Sequence, residues 1–287
     1  MIGKIATFFK NFSDWLKSDV CLLRYFIDAI KITNNNFILA TPLIIFNILI
    51  SGYLIQVSAN KTIIMAIFFA MSATFFSGWL YSVKEVIINI DKNEKKDNVG
   101  IFDSIKLFPT GVGLHFIDFF LLIVIFIILF TVVIGLTYKV GLLLIGPIGI
   151  KHFDLLNAIS STTAMKTLLG SLTVEQQLKL SYWNMLFFFT SALYIFLMSL
   201  WAPEIIYNKA SVLKALINSI HNIFKRFFKS LSIFAFLMLI YLVIAIFTAF
   251  AKTQILQFIC TIIYFYYLVY AAVLIFLFYK KEFDCDE

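Results

Sequence analysis

The sequence predicts an all-α polytopic membrane protein with six transmembrane helices and additional amphipathic helices on the cytoplasmic face. Composition is the first reason. Hydrophobic residues fill 62% of the 287 positions and charged residues only 14%, whereas about a quarter of a soluble domain is charged. The second is run length. Six apolar runs, near 37–58, 62–82, 114–137, 182–203, 231–250 and 255–279, are long enough to cross a hydrocarbon core about 30 Å thick. The third is that charged segments beside these runs repeat their apolar residues in steps of three and four, the pattern of helices lying in a bilayer interface.

Taken in order, residues 1–36 read as N-terminal amphipathic helices and 37–287 as the six-span domain. Ile2, Ile5, Phe8, Phe9, Phe12, Trp15 and Leu16 form one apolar stripe. Lys4 and Lys10 precede no short apolar core with a small-residue cleavage site, so no removable signal peptide is expected. Span one carries Pro42 and, five residues on, Asn47, which predicts a kink at the proline and a hydrogen bond from the amide to a neighbouring helix. The DKNEKKDNVG stretch after span two reads as a polar loop. After span three, the outer segment 138–181 opens with GLLLIGPIGI, where Gly146, Pro147 and Gly149 break any helix and suggest a re-entrant or surface-hugging stretch. Thr173 with Gln176 spells a capping box, and Leu172 stands where a hydrophobic staple would, so a short helix is expected ahead of span four.

Orientation follows from basic residues, which resist translocation. With the N-terminus inside, the inner segments 1–36, 83–113, 204–230 and 280–287 hold 17 of the 23 lysines and arginines. Both termini are therefore expected in the cytoplasm, the chain lying in a bacterial plasma (inner) membrane. Trp79 and Trp201 at inner ends and Tyr182 with Trp183 at an outer end suit interfacial anchoring.

The stretch SVLKALINSIHNIFKRFFKS, from Ser211, is the most informative. Its apolar residues fall at 213, 216, 217, 220, 223, 224, 227 and 228, while Lys214, Asn218, His221, Asn222, Lys225, Arg226 and Lys229 fill the other face. No Asp or Glu occurs from 205 to 281, which makes anionic lipid headgroups the expected counter-charge. A second copy lies 190 residues earlier, pairing Leu23 with Leu213, Arg24 with Lys214, Ile27 with Ile217, Asp28 with Asn218, Ile30 with Ile220 and Phe37 with Phe227. Two parallel halves, 20–137 and 182–279, joined by the outer segment 138–181, are one reading; chance periodicity is the other. Lys214, His221, Lys225, Arg226 and Lys229, with Arg24 and Lys31 of the first copy, are the candidate headgroup contacts.

LWAPEIIYNKAS ending a span, then LKALINSIHNIFKRF and two further spans, resembles bacterial six-span proteins related to the membrane domain of glycerophosphodiester phosphodiesterases. The similarity covers 182–279 and, more faintly, 20–90. It implies architecture and membrane location. Enzymatic members carry a separate soluble barrel with acidic and histidine catalytic residues, and the chain has no such segment before Glu287, so the resemblance gives no reason to expect hydrolysis.

Candidates for chemistry are few. His115 and Asp118, three apart, share a helix face and could pair or relay a proton; the plainer reading places both at the inner interface. Glu204, beside Pro203, reads either as an interfacial helix-end residue or as a polar contact in a pathway. Asn47 is the deepest polar residue and has the same two readings. Cys21, Cys260 and Cys285 follow no CxxC or Cys/His spacing, and the three histidines fall on separate segments, so neither disulfide, metal nor cofactor is expected. No nucleotide loop or GxSxG elbow occurs, and the basic aromatic run IFKRFFK, which could suit nucleic acid, has the strict apolar periodicity that favours lipid, so no nucleic-acid partner is expected. The expected function is therefore non-catalytic, either contacting membrane lipids or acting as a subunit of a membrane complex or homo-oligomer. The alternative is a transporter or permease subunit for a small solute or lipid, with Asn47, His115, Asp118 and Glu204 along a polar pathway.

Overall fold

The computed structural model describes residues 19–55, 61–92, 101–149 and 162–283. Within them the elements are helices: α1 (Asp19–Asn35), a 3-10 turn (Phe37–Leu39), α2 (Ala40–Ile55), α3 (Lys61–Lys92), α4 (Ile101–Leu144), α5 (Thr162–Ser171), α6 (Val174–Met198), α7 (Trp201–Asn208), α8 (Val212–Lys225), α9 (Phe227–Phe250) and α10 (Gln254–Phe283). No strand occurs among the described residues. The amphipathic stripe expected at 2–16 lies outside them.

Five stretches are long and apolar enough to cross a membrane: Met65–Ile90, Lys106–Leu144, Val174–Asn208, Phe227–Phe250 and Gln254–Phe283. A sixth is present if Leu23–Asn35 and Phe37–Gly52, bent by 79°, are taken as one span. Several helices outrun the apolar runs that predict them. α3 continues through the charged Lys84–Lys92, and α4 begins at Ile101, thirteen residues before the run at 114. A helix satisfies its own backbone, so the polar flanks stay helical, α4 running on through Pro109 and Gly111.

The chain forms two compact units, 1–124 with 197–287, and 125–196. The first is organised around α10. Helices α1, α2, α3, α7 and α9 pack on it, and Val269, Val273, Leu274, Leu277 and Tyr279 are fully enclosed. Its first half is exposed, with Ile255 and Phe258 among the most accessible side chains, as expected of a surface that meets lipid. Closely packed α3 and α4 depend on small residues. A Cβ at Gly111 would stand 2.5 Å from the Tyr81 Cβ and 2.9 Å from the Ser77 carbonyl oxygen. This is the close-approach role small residues have in membrane helix pairs.

In the second unit the expected capping box is present. Thr173 N–H donates to Gln176 Oε1 (3.1 Å) and Gln176 N–H to Thr173 Oγ1 (3.3 Å). It opens α6 itself, which continues into the apolar run, rather than a short helix of its own; the short helix that precedes the span, α5, ends at Ser171, ahead of the box. Tyr194 donates from its hydroxyl to the Phe126 carbonyl at 2.6 Å. Gly146, with φ of 79°, follows the end of α4 at positive φ, where glycine carries no steric penalty, and Gly149, with φ of 78°, lies in the irregular stretch beyond it.

The tryptophans depart from expectation. Trp79, Trp183 and Trp201 are buried, and each indole N–H donates to a backbone carbonyl at a helix break: Trp79 to Leu39 (2.9 Å), Trp183 to Gly146 (3.1 Å) and Trp201 to Val212 (2.9 Å). Gly146 lies just past the end of α4, where carbonyls lack a helical partner, while Leu39 and Val212 stand at the start of α2 and α8; at each, a buried indole adds one donor within a large apolar body. Pro42 also differs. It is the third residue of α2, where proline forfeits only an N–H that has no partner in the helix, and the bend falls before it, at Asn36.

Gly111→Ala is expected to destabilise the protein by about 1–3 kcal/mol, because its methyl meets backbone rather than a yielding side-chain end. Gly113, with open space around its Cβ position, is the control. Its alanine variant should be neutral or gain up to about 1 kcal/mol from helix propensity. Thermal unfolding of the two purified variants in one detergent checks the pair.

Candidate functional site

Three helices each contribute an i, i+4 pair to one polar site. On α7, Glu204 and Asn208 share a face; on α10, Tyr279 and Phe283 do, with Glu282 beside them; on α8, Asn218, His221, Asn222 and Lys225 form one stripe. These spacings bring side chains to the same side of a helix. The Trp201 indole ties the start of α7 to the start of α8, and Lys209, with φ of 49° and ψ of 31°, turns the chain between them.

Glu204 is the centre. It is 1% exposed, and among the described residues no lysine, arginine or histidine lies within ion-pair distance of it. Its Oε1 accepts from Asn208 Nδ2 (3.1 Å) and Asn218 Nδ2 (2.8 Å). Its Oε2 accepts from Asn222 Nδ2 (3.3 Å) and from the Tyr279 hydroxyl in a short contact. Asn208 Nδ2 also reaches the Tyr279 oxygen at 2.8 Å. Burying a carboxylate costs several kcal/mol, and hydrogen bonds to a charged group return about 1.5–3 kcal/mol each, so four donors are what makes the position tenable.

The donor side of this network decides what faces the other way. A carboxylate only accepts, so the amides against it must present their NH2 groups and turn their carbonyl oxygens elsewhere. Among the described residues the Oδ1 atoms of Asn218 and Asn222 meet no protein donor, and both remain accessible. They border a cavity of about 230 Å³ lined by Glu204, Asn208, Asn218, His221, Asn222, Lys225, Tyr279, Glu282 and Phe283. His221 and Lys225 are exposed at its edge.

A second carboxylate, Glu282, lies beside the first and is satisfied differently. Arg226 Nε (3.2 Å) and Lys229 Nζ (2.5 Å) pair with it, and the Tyr25 hydroxyl donates to it at 2.8 Å. Arg226 and Lys229, expected to face lipid headgroups, thus have a protein partner that follows the acid-free stretch by one residue. Lys214, Lys225, Arg24 and Lys31 are exposed and have no acidic partner among the described residues. α1 is fastened to the same end of α10 by Lys281, whose Nζ meets Asp28 Oδ2 at 2.7 Å.

The remaining pathway candidates do not join the site. Asn47 is exposed on α2 and donates to no neighbouring helix among the described residues. His115 is buried, with Nδ1 3.8 Å from Asp118 Oδ2, so the expected shared face holds at ion-pair distance. Neither lines the Glu204 cavity. A separate apolar groove of about 750 Å³ runs between α2 and α3, bordered by Pro42, Phe46, Leu49, Met71 and Phe75. Cys260 is a buried free thiol, and no metal-holding cluster of His, Cys, Asp or Glu occurs among the described residues.

No protein-family model, curated protein or solved structure matches the chain.

Sequence reasoning found Glu204, His221 and Lys225 and missed Asn208, Asn218, Asn222, Tyr279 and Glu282. A signal existed in the i, i+4 spacing of EIIYN and NSIHN, in which an acid and three amides stand at helical intervals. Replacing Glu204 by Ala is expected to cost at least about 3 kcal/mol, since it strands the Asn218, Asn222 and Tyr279 donors. Glu204→Gln keeps one acceptor and should cost less. Chemical or thermal unfolding of both variants in detergent measures the order, and equal stability of wild type and Glu204→Ala would show that the network contributes nothing.

Proposed function

We propose that the chain is a six-span, non-catalytic protein of the bacterial plasma membrane, with both termini cytoplasmic, in which α2 crosses as the first span without α1, and whose in-plane helices α1 and α8 hold anionic phospholipid headgroups. The observation that carries this reading is how α8 divides its surface. Val212, Ala215, Ser219 and Ile223 are buried against the protein, while Leu213, Ile217 and Phe224 are 61%, 68% and 61% exposed. An outward apolar edge beside exposed Lys214, His221 and Lys225 matches a helix seated in the headgroup layer, with its apolar edge toward acyl chains and its cations toward phosphates.

α1 supports the reading independently. Leu23 and Ile27 are exposed at the positions paired with Leu213 and Ile217, and Tyr25, Ala29 and Thr33 are buried at those paired with Ala215, Ser219 and Ile223. Arg24 and Lys31 are exposed beside that edge. The groove between α2 and α3 is almost wholly apolar, as a surface accommodating an acyl chain would be. The resemblance of 182–279 to the membrane domain of glycerophosphodiester phosphodiesterases implies a membrane location as well.

Arg24→Gln, Lys31→Gln and Lys214→Gln combined should lower anionic-lipid affinity by roughly 100-fold, at about 1 kcal/mol per basic residue near the surface. Phosphatidylglycerol retained through purification, quantified by mass spectrometry, reads this out. Retention equal to wild type would remove the basis for the proposal. Arg226→Gln, which breaks a pair with Glu282, should instead lower the thermal midpoint and leave retention closer to wild type.

A further inference from the structure

The cavity over Glu204 has an electrostatic asymmetry that the basic face of α8 does not explain. Of its two carboxylates, Glu282 is matched by Arg226 and Lys229, whereas Glu204 has hydrogen-bond donors and no cation among the described residues. The uncompensated charge polarises the amides that surround it. Each amide commits its Nδ2 to Glu204, which leaves the Oδ1 of Asn218 and of Asn222 without a protein donor among the described residues on side chains that line the cavity. The floor therefore offers acceptors in a negative field and asks for a cation with N–H donors. One helical turn along the same stripe, His221 and Lys225 offer donors and positive charge at the mouth.

We propose that this cavity binds an ammonium–phosphate zwitterion, the phosphoethanolamine group, with the ammonium on the Asn218 and Asn222 carbonyl oxygens and the phosphate between His221 and Lys225. Size agrees. At about 230 Å³ the cavity falls below the roughly 300–1,000 Å³ of sites that enclose drug-sized ligands, so it admits a headgroup and excludes a whole lipid. Position agrees as well, since the site lies where α9 begins and α10 ends, beyond the apolar stretch of α10 and among Lys280, Lys281 and Glu282.

Competing ligands fit less well. A bare metal ion would seek the carboxylate oxygens directly, and both oxygens of Glu204 already accept two hydrogen bonds each. A simple anion could use only His221 and Lys225 at the mouth and would leave the asparagine oxygens of the floor without a donor. A trimethylammonium has no N–H to donate, so phosphocholine should fill the mouth without satisfying the floor. The inference takes the nearness of membrane headgroups, and the cations His221 and Lys225, from the function proposed above; the Asn218 and Asn222 floor and the different lipid are its own.

The test uses the full chain in detergent and measures binding calorimetrically with short-chain phosphatidylethanolamine, free phosphoethanolamine, phosphocholine and inorganic phosphate. The phosphoethanolamine group should bind at least tenfold more tightly than phosphocholine or phosphate. Tight binding of the lipid-borne form alone would identify the membrane as the source, and equal binding of the free form a soluble ligand. His221→Ala with Lys225→Ala, both exposed and outside the Glu204 network, should keep the wild-type thermal midpoint and weaken binding tenfold or more. Asn222→Leu should remove the preference for phosphoethanolamine over phosphocholine; if that variant fails to fold, the ligand series on wild-type protein still decides. Phosphocholine or phosphate binding as tightly as phosphoethanolamine would overturn the proposal, as would unchanged affinity in the His221/Lys225 variant. The Arg24/Lys31/Lys214 variant should retain phosphoethanolamine binding, which separates failure of this inference from failure of the anionic-lipid reading.

Discussion

The carboxylate of Glu204 sets the arrangement of the helices around it. Enclosed and without a cation among the described residues, it is tolerable only where several donors converge, and here they come from α7, α8 and α10. Shifting any one of these helices would leave donors or acceptor unsatisfied, so one group fixes the position of three elements. Glu282 repeats the logic a few residues away, gathering Tyr25 of α1, Arg226 at the α8–α9 break and Lys229 of α9. The last turn of α10 is thus the common anchor for both short amphipathic helices.

The same requirement, that polar groups away from water find partners, governs the breaks between helices. α1 must end before α2 can begin, α4 must end at Gly146, and α7 must give way to α8. At each place a buried indole donates to a backbone carbonyl at the helix boundary. A tryptophan is suited to this because a single donor sits on the edge of a body large enough to fill the wedge that a break opens. Interfacial anchoring and break-clamping place tryptophan at the same point in the sequence, at the end of an apolar run, which is why the sequence alone suggests the first role and the structure has the second.

What the sequence revealed follows from how local the signals are. Long apolar runs, the amphipathic periodicity at 213–228 and the Thr173–Gln176 capping box depend on residues within a few turns of one another, and each has its helical counterpart in the structure. The site was legible only in part. Pairing of Arg226 with Glu282 spans 56 positions and that of Asn218 with Glu204 spans 14 across a reversal of chain direction. Asn218 and Asn222 share a face with lysines, so periodicity assigns them to the solvated side, and only the packing of α7 against α8 turns them inward. Tyr279 sits in an aromatic run whose other members face the core, and nothing local distinguishes its hydroxyl.

The two segments that can be paired 190 residues apart differ at one position that bears on the cavity over Glu204. Asp28 of α1 and Asn218 of α8 hold the same place in their helices, and each meets a charged residue of opposite capacity: Asp28 the ammonium of Lys281, Asn218 the carboxylate of Glu204. An ion pair between an aspartate and a lysine uses the charge on both sides and leaves little field beyond it. An asparagine against a carboxylate neutralises nothing; it transmits the negative charge outward through its own dipole, amide nitrogen inward and oxygen outward. Exchanging acid for amide at one position, with the acid moved onto the neighbouring helix, therefore changes a closed contact into a surface with an unmet demand for a hydrogen-bonding cation. The buried acid and the polar cavity are in this sense one feature, because the donors that make the burial tolerable are the same groups whose acceptor ends line the space.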